Sequence, residues 1–375
     1  MEGMYAEGLA KVGSGKAFIN PLAKLNRDMG IAIVGPKTNG GGLKMLDATA
    51  ATGIRGIRYL MESAVGDCTF LEINEDVFGQ LEANIKSNSV KATALNTSIQ
   101  EFCSSTRERF DLVELDPFGG IYPYVFDVAK VLRGGSYFFA TATDTAVLCG
   151  AQKNACLKLY SAKPMHNKLC HETGLRIMIG YMARTLAQFN FGIDVLLGMF
   201  HDHYMRVYAK LTSGAAAATR SIDSLGFAFH CDSCGAIASS KGLVPVQTKC
   251  EACGSKMRAS GPLWLGKLKD KGAIDAISAY SSRSGGRRLQ SVSQLLSSEL
   301  DIPLFYHIPS FTKRLGITGV SPDAVIESLK NSGFAASHTH FDPNGVKSDA
   351  PSDSVAEAIR DVASGKVSAL HYGQV

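Results

Sequence analysis

Asp116-Pro117-Phe118 is the chemically most pointed part of this sequence. It follows Phe110–Leu115, which reads as a short buried strand, so a carboxylate and an aromatic ring stand at a strand's carboxyl end. Open α/β sheets bind ligands along that edge. A carboxylate accepts a hydrogen bond from an amino group, and proline fixes the chain direction without offering an N–H. A phenylalanine beside them gives a flat base a surface to stack on. Two further acids occupy equivalent places. Asp47 closes the strand that begins near Lys44, and Glu72 closes the strand that begins near Cys68.

The turn after Asp47, Ala48-Thr-Ala-Ala-Thr-Gly53, is built of small residues, and Gly53 permits a tight bend with close backbone approach. It lacks the G-x-G-x-x-G of dinucleotide-binding folds, and the chain has no Gly-Lys-Ser/Thr phosphate loop. A small turn preceded by an acid suits a cofactor without a pyrophosphate. S-adenosylmethionine fits, because its sulfonium and ammonium groups favour nearby carboxylates. Glu72, 25 residues after Asp47, stands where an acid takes the two ribose hydroxyls of an adenosine cofactor. Ser98, Ile99 and Gln100 fall in the loop where an adenine ring would lie. Upstream, Phe18 and Asn20-Pro21 precede a helix expected over Leu22–Ile33, inside which Arg27 can aim a guanidinium at a carboxylate.

Positioning these groups requires alternating strands and helices. Helices are expected at Ile54–Glu62, Asp76–Lys86, Tyr122–Leu132 and Leu175–Phe189, with strands near Ala92–Leu95 and at Ser136–Thr143. Two adjacent apolar strands, Ile193–Phe200 and His203–Leu211, close the series. The result is a seven-stranded, doubly wound α/β sheet with one antiparallel member, the class I (Rossmann-like) methyltransferase arrangement, over residues 1–212. The low-complexity run Ser213–Thr219 reads as a joint. Residues 213–375 then form a smaller α+β domain.

In that second part Cys231-x-x-Cys234 and Cys250-x-x-Cys253 are separated by 15 residues, with Gly235 and Gly254 after the two knuckles. Four thiolates so spaced match a closed, structural Zn2+ site, within a module of about residues 227–258. The other cysteines, Cys68, Cys103, Cys149, Cys156 and Cys170, read as buried small hydrophobes. His166, Cys170 and His171 have no standard metal-site spacing, so Lys163–Glu172 reads as a substrate-facing loop. From residue 289 to 375 the pattern is helix-turn-helix followed by a strand and turn, which suggests a winged helix. Arg283, Arg287, Arg288, Lys313 and Arg314 are its candidate phosphate contacts.

Composition bounds the rest. The chain has 375 residues, is 45% hydrophobic and carries a net charge of +5. Neither half is a basic tail, so charge permits a nucleic-acid partner without arguing for one. An apolar run long enough for a membrane span is absent, and the acidic, small-residue start is unlike a secretory signal. Nine cysteines, four of them in Cys-x-x-Cys pairs, favour a reducing compartment, and a cytoplasmic location is expected.

Taken together these residues resemble the tRNA guanine-26 N2-dimethyltransferases of archaea and eukaryotes. The resemblance runs over nearly the whole chain. Its carriers are Phe18-Ile-Asn-Pro with Asn26-Arg27-Asp28, Asp47 through Arg58, Leu115-Asp-Pro-Phe-Gly119, Thr141-Ala-Thr-Asp144, Pro262-Leu-Trp-Leu-Gly266 and Asp301-Ile-Pro-Leu-Phe-Tyr306. It implies that Arg27, Arg55, Glu72, Ser98 and Ile99 help bind S-adenosylmethionine, that Asp116 is catalytic, and that Phe18 and Phe118 hold the guanine. It also implies tRNA as the partner, and no obligate protein partner is inferred. Ile19 stands where the family often has an aromatic residue, and Glu72 where some archaeal members have aspartate.

Two other readings stay open at this point. One is an amino methyltransferase acting on another RNA or DNA base, although such enzymes usually carry Asp/Asn-Pro-Pro-aromatic where this chain has a single proline. The other is a non-catalytic RNA-binding protein, against which the three intact strand-end acids argue.

Overall fold

The computed structural model describes residues 4–36, 42–284 and 286–365. Its central sheet has seven strands: β1 (Leu43–Asp47), β2 (Val65–Leu71), β3 (Thr93–Leu95), β4 (Leu112–Leu115), β5 (Tyr137–Ala142), β6 (Phe191–His201) and β7 (Tyr204–Ser213). The spatial order is β3-β2-β1-β4-β5-β7-β6. β1 pairs in parallel with both β2 and β4, and β4 with β5, whereas β7 runs antiparallel to β5 and β6. The order reverses direction between β1 and β4, which opens a crevice at their carboxyl ends.

Apolar residues bury both faces of this sheet, as a mostly parallel sheet requires. Neighbouring residues on one strand point to opposite faces. Met45, Leu112 and Phe139 join the core with helices Lys24–Val34, Ile54–Glu62 and Glu75–Ser87. Leu46, Val113 and Phe138 join the core with helices Ile99–Ser105 and Cys170–Ala187. Both cores continue past residue 213. Ile274 and Ile277 of helix Lys271–Ser284 belong to the first, and Leu225, Ala228 and Leu263 to the second.

The second half contains a three-stranded antiparallel sheet with Leu225–His230 between Ile237–Lys241 and Arg258–Trp264. After two helices comes a smaller sheet, with Gly345–Ser348 between Tyr306–His307 and Ala336–His338. Helices Ile308–Leu315, Pro322–Asn331 and Ser352–Ala363 pack with it around Phe311, Val325 and Ile359.

Three expectations are corrected here. Ser213–Thr219 is not an extended joint: Ala215–Ile222 is a helix, begun by Gly214 at φ +114° and buried at Ala217 and Ala218. A run of alanines has the composition of a linker, but alanine is also the best helix former. Lys163–Glu172 is only partly a loop, because the long helix starts at Cys170. Glu172 is fully buried there and takes hydrogen bonds from Arg176 Nε (2.9 Å), Lys347 Nζ (3.1 Å) and the Leu304 N–H (2.9 Å). That carboxylate ties the long helix to the last sheet. The expected helix Tyr122–Leu132 is shorter, Val125–Ala129.

An amino-terminal hairpin, Met4–Glu7 with Ala10–Gly13, was not foreseen. Asn84 clips it to the body, accepting from the Gly13 N–H (2.9 Å) and donating to the carbonyls of Gly13 (3.0 Å) and Thr52 (2.9 Å). Its Glu7 is buried and accepts from Arg27 Nε (2.7 Å) and Arg58 Nη1 (2.6 Å). Burial would raise its pKa, but the two guanidiniums more than offset this and pull it down to about 2. A carboxyl depressed on folding contributes stability that is present above its unfolded pKa and lost below it. Stability is therefore expected to fall as pH drops from the ordinary 4.5 toward about 2. In Glu7→Gln that part of the acid dependence disappears, which chemical denaturation across this range measures.

Candidate active site

Three strand ends and the amino-terminal segment meet around a cavity of about 820 Å³. Its first wall is the turn after β1. The Ala48 N–H donates to the Glu114 carbonyl (3.0 Å) and the Ala50 N–H to the Leu71 carbonyl (3.0 Å), which fastens the turn to both neighbouring strands. Ala51 and Gly53 adopt positive φ, +47° and +78°. At Gly53 a side chain would also meet Leu81, since an added Cβ would lie 2.6 Å from its Cδ1.

Asp47 and Gly53, both expected as cofactor contacts, do not line the cavity. Asp47 is buried, and its Oδ2 accepts the Gly56 N–H (3.1 Å), closing the first turn of the following helix. Burial pushes its carboxyl up to about 7, and Glu114 adds to this, while Arg55 and the Gly56 bond act against it. An acid so placed shapes the turn, and Gly53 does the same through its backbone.

Glu72 does line the cavity. One oxygen accepts the Ala51 N–H (3.0 Å) and the other the Asn74 N–H (2.7 Å). A carboxylate offers about four acceptor positions, so capacity remains on the cavity side. Ser98 and Ile99 line the next stretch, where the Ser98 hydroxyl caps helix Ile99–Ser105 by accepting the Glu101 N–H (3.1 Å). Arg27 enters from helix Lys24–Val34, held by Glu7 and by the Asn20 carbonyl (3.1 Å).

At the end of β4, Asp116 pairs with Arg55 Nη2, and its N–H donates to Thr49 Oγ1 (2.8 Å). Arg55 Nη1 donates to Asn26 Oδ1 (3.1 Å) and faces Glu114 at 3.8 Å. Glu114, fully buried, is bridged through both oxygens by Arg206 Nη2 (2.8 and 2.7 Å), and accepts the Tyr59 hydroxyl (2.7 Å). Burial alone would raise the Asp116 pKa, but Arg55 and Arg206 hold it below the usual carboxylate range. Asp116 is thus a fixed anion and an acceptor.

Phe18 and Phe118 stand at the mouth with ring centroids 5.8 Å apart and planes at 56°. They are 61% and 83% exposed, which internal packing does not explain. The loop carrying Phe118 is anchored by Gly119, whose N–H donates to Thr143 Oγ1 (2.9 Å). The cavity wall also includes Asn26, Thr141, Thr143 and Tyr204, which sequence reasoning did not single out. Asn26, Thr141 and Thr143 lie inside motifs that carry the resemblance, but nothing in the sequence ties Tyr204 to a strand end 88 residues earlier.

The four paired cysteines also converge. Cys231 and Cys253 sulfurs are 3.5 Å apart, Cys234 and Cys250 3.4 Å, and all four lie within 4.8 Å of one another. Each knuckle is formed alike: the Gly235 N–H donates to the Cys231 carbonyl and the Gly254 N–H to the Cys250 carbonyl, both at 2.8 Å. Of the other five, Cys68, Cys103 and Cys156 are buried as expected, whereas Cys149 and Cys170 are only half-buried. Among the candidate phosphate contacts, Arg288 is taken up by Asp202 Oδ2 and His201 Nε2, both at 2.7 Å. Arg314 lies over Phe311, 4.4 Å from its centroid, and Arg283, Arg287 and Lys313 are exposed.

Comparison with known proteins adds to this geometry. The family model for N2,N2-dimethylguanosine tRNA methyltransferase matches residues 6–360. The tRNA (guanine(26)-N(2))-dimethyltransferase of Thermococcus kodakarensis is 36% identical, covering 95% of this chain and 98% of that protein. Its counterpart from Pyrococcus abyssi is 33% identical, covering 92% and 95%. Among solved structures, the complex of Trm1 from Pyrococcus horikoshii with S-adenosyl-L-methionine superimposes with a TM-score of 0.86 at 31% identity, covering 95% of this chain and 99% of that one.

The two roles open to Asp47 separate experimentally. A carboxyl raised on folding loses its contribution as pH rises through the folded value, so wild-type stability should decline between pH 3.8 and about 7. Asp47→Asn keeps an acceptor for Gly56 and should flatten that decline. Asp47→Ala leaves the N–H unmet and should cost about 1 kcal/mol, both read from denaturation curves.

Proposed function

The chain belongs to the N2,N2-dimethylguanosine tRNA methyltransferase family, and from that premise we propose how its own residues carry out the reaction. The enzyme transfers methyl groups from S-adenosylmethionine to the exocyclic N2 of guanine 26 in tRNA, giving N2-methyl- and N2,N2-dimethylguanosine. One observation carries the residue assignment: a charged, Arg55-paired Asp116 sits at the sheet's switch point, in a cavity whose mouth is formed by two exposed aromatic rings.

S-adenosylmethionine supplies an electrophilic methyl group on a sulfonium. Glu72 receives the ribose hydroxyls with the acceptor capacity its two backbone bonds leave over. Ser98 and Ile99 border the adenine, and Arg27 and Arg55 provide positive charge for the carboxylate end. Guanine N2 is a poor nucleophile because its lone pair is delocalised into the ring. Asp116 accepts an N2–H hydrogen bond, which raises electron density on the nitrogen and orients it. After transfer the nitrogen is strongly acidic, so even a carboxylate of depressed pKa can take the proton. A singly methylated N2 keeps one N–H, so the same contact serves the second round.

Phe18 and Phe118 clamp the base, which is extruded from the folded tRNA to reach them. Ring contacts need roughly 3.5–4 Å on each side of a base. The observed 5.8 Å separation must therefore widen when guanine enters, a movement that suits two rings exposed at a loop and a segment end. Catalysis is then largely a matter of alignment.

We also propose that Cys231, Cys234, Cys250 and Cys253 hold a structural Zn2+, since four sulfurs leave no open position. The part from about residue 289, with its helix pair and antiparallel strands, is read as a winged-helix-like tRNA-holding unit. Residues 1–212 are assigned to methyl transfer and 213–375 to tRNA binding, with Arg283, Arg287 and Lys313 as phosphate contacts.

Incubation with labelled S-adenosylmethionine and unmodified tRNA transcripts, followed by nucleoside mass analysis, tests the assignment. Asp116→Ala should lower transfer at least on the order of a hundredfold while tRNA binding persists. Wild-type rates in that variant would remove Asp116 from the mechanism. Transfer to DNA rather than tRNA would favour the other-base reading, and binding without transfer by the wild type the RNA-binding one. Phe118→Ala should cost roughly five- to 150-fold in kcat/KM, as expected for losing ~1–3 kcal/mol of stacking, with S-adenosylmethionine affinity unchanged by calorimetry.

A further inference from the structure

A second group of metal-capable side chains lies apart from the paired cysteines. Cys149, Cys170 and His171 each bring one ligand atom to within 4.8 Å of the others. Each is held by a different support. Cys149 follows helix Thr145–Leu148, its N–H donating to the Thr145 carbonyl (2.8 Å). Cys170 opens helix Cys170–Ala187, its N–H donating to the Asn167 carbonyl (3.1 Å). The His171 ring lies flat on Phe200, with centroids 3.9 Å apart and planes at 9°. Its Nδ1 faces the Phe341 carbonyl at 3.4 Å, the kind of outer contact that orients a ligating imidazole.

We propose that Cys149 Sγ, Cys170 Sγ and an imidazole nitrogen of His171 bind a zinc-class divalent ion. Zinc bonds of ~2.3 Å to sulfur and ~2.0 Å to nitrogen place tetrahedral donors about 3.3–3.8 Å apart. Closing the observed group onto an ion therefore needs shifts of roughly an ångström or less. Two sulfurs and an imidazole select zinc-like ions over magnesium or calcium, which prefer oxygen. Both thiols give up their protons to solvent as the ion binds. Three protein ligands leave a fourth position for water. All three ligands are half-buried, so the ion can exchange with solution.

The site joins elements of separate purpose. Cys149 follows closely on Thr143, which lines the catalytic cavity and anchors Gly119. His171 touches Phe341 from the carboxyl-terminal half. An ion there fastens the segment behind the base-holding loop to the part assigned to tRNA binding.

The test is metal counting on the full chain, stripped of metal under reducing conditions, reloaded with zinc and desalted. Cys170→Ser and, separately, His171→Asn should each lower bound zinc by about one ion per chain relative to wild type. Cys231→Ser should remove a different ion, so failure of one site is distinguishable from failure of the other. With cobalt in place of zinc, the sulfur-to-metal absorption remaining in Cys231→Ser should vanish when Cys170→Ser is added. Folding is checked for every variant by circular dichroism, and the histidine variant serves if a cysteine variant does not fold. Zinc content unchanged in folded Cys170→Ser or His171→Asn overturns the proposal. So does recovery of Cys149 and Cys170 as a disulfide from protein that never took up the ion.

Discussion

Arg55 is the charge on which the site depends. It is buried, and a buried guanidinium without counter-charge is not tolerated, so its surroundings must supply one. Glu114 and Asp116, two residues apart at the end of β4, do so, and Arg206 from β7 balances Glu114 in turn. Two cations and two anions thus interlock across a helix and two strands. Removing Glu114 or Arg206, both fully buried, should cost about 3–5 kcal/mol, because the partner is left uncompensated. The carboxylate proposed as catalytic is therefore held in place by the same pairing that makes the fold viable. That is preorganisation of the kind from which enzymes draw most of their rate.

Similar groups stitch the rest of the molecule together. Glu7 joins the amino-terminal hairpin to Arg27 and Arg58, and Arg58 reaches on through Asp28 and Glu62 toward Tyr280 in the second half. Glu172 links the long helix to Lys347, while Arg176 donates to the carbonyls of Trp264 (3.0 Å) and Gly266 (3.1 Å). These ties have a functional consequence. Phe18 lies on the amino-terminal segment and Phe118 on the loop after β4, so the base clamp proposed from both needs the two elements held in register. The Glu7–Arg27 pair and the Arg55 contact to Asn26 hold the helix directly behind Phe18 against the sheet.

Much of this was legible in the chain itself. Strand-end acids, a small-residue turn and a run of alternating elements led to the seven-stranded sheet and to Glu72, Ser98, Ile99 and Asp116 on its rim. Such features are local: a strand's apolar run and the residue that ends it are contiguous, and the carboxyl edge follows from the fold class. Paired Cys-x-x-Cys knuckles are local in the same sense. Local pattern also misled. The alanine run looked like a joint, and residues 215–222 are helical; Asp47 reads as a cofactor contact, and in the fold it accepts the Gly56 N–H.

The sequence by itself determined most element types of the central sheet, the order of the acids along its edge and the family resemblance, because each rests on residues close together in the chain. Only the tertiary structure decided which charges meet. Glu114 with Arg206, Glu7 with Arg58, and Glu172 with Lys347 are separated by 92, 51 and 175 residues. No periodicity encodes such pairs. They arise from which buried charges find partners when the sheet and its covering helices close, a condition set by desolvation over the whole molecule.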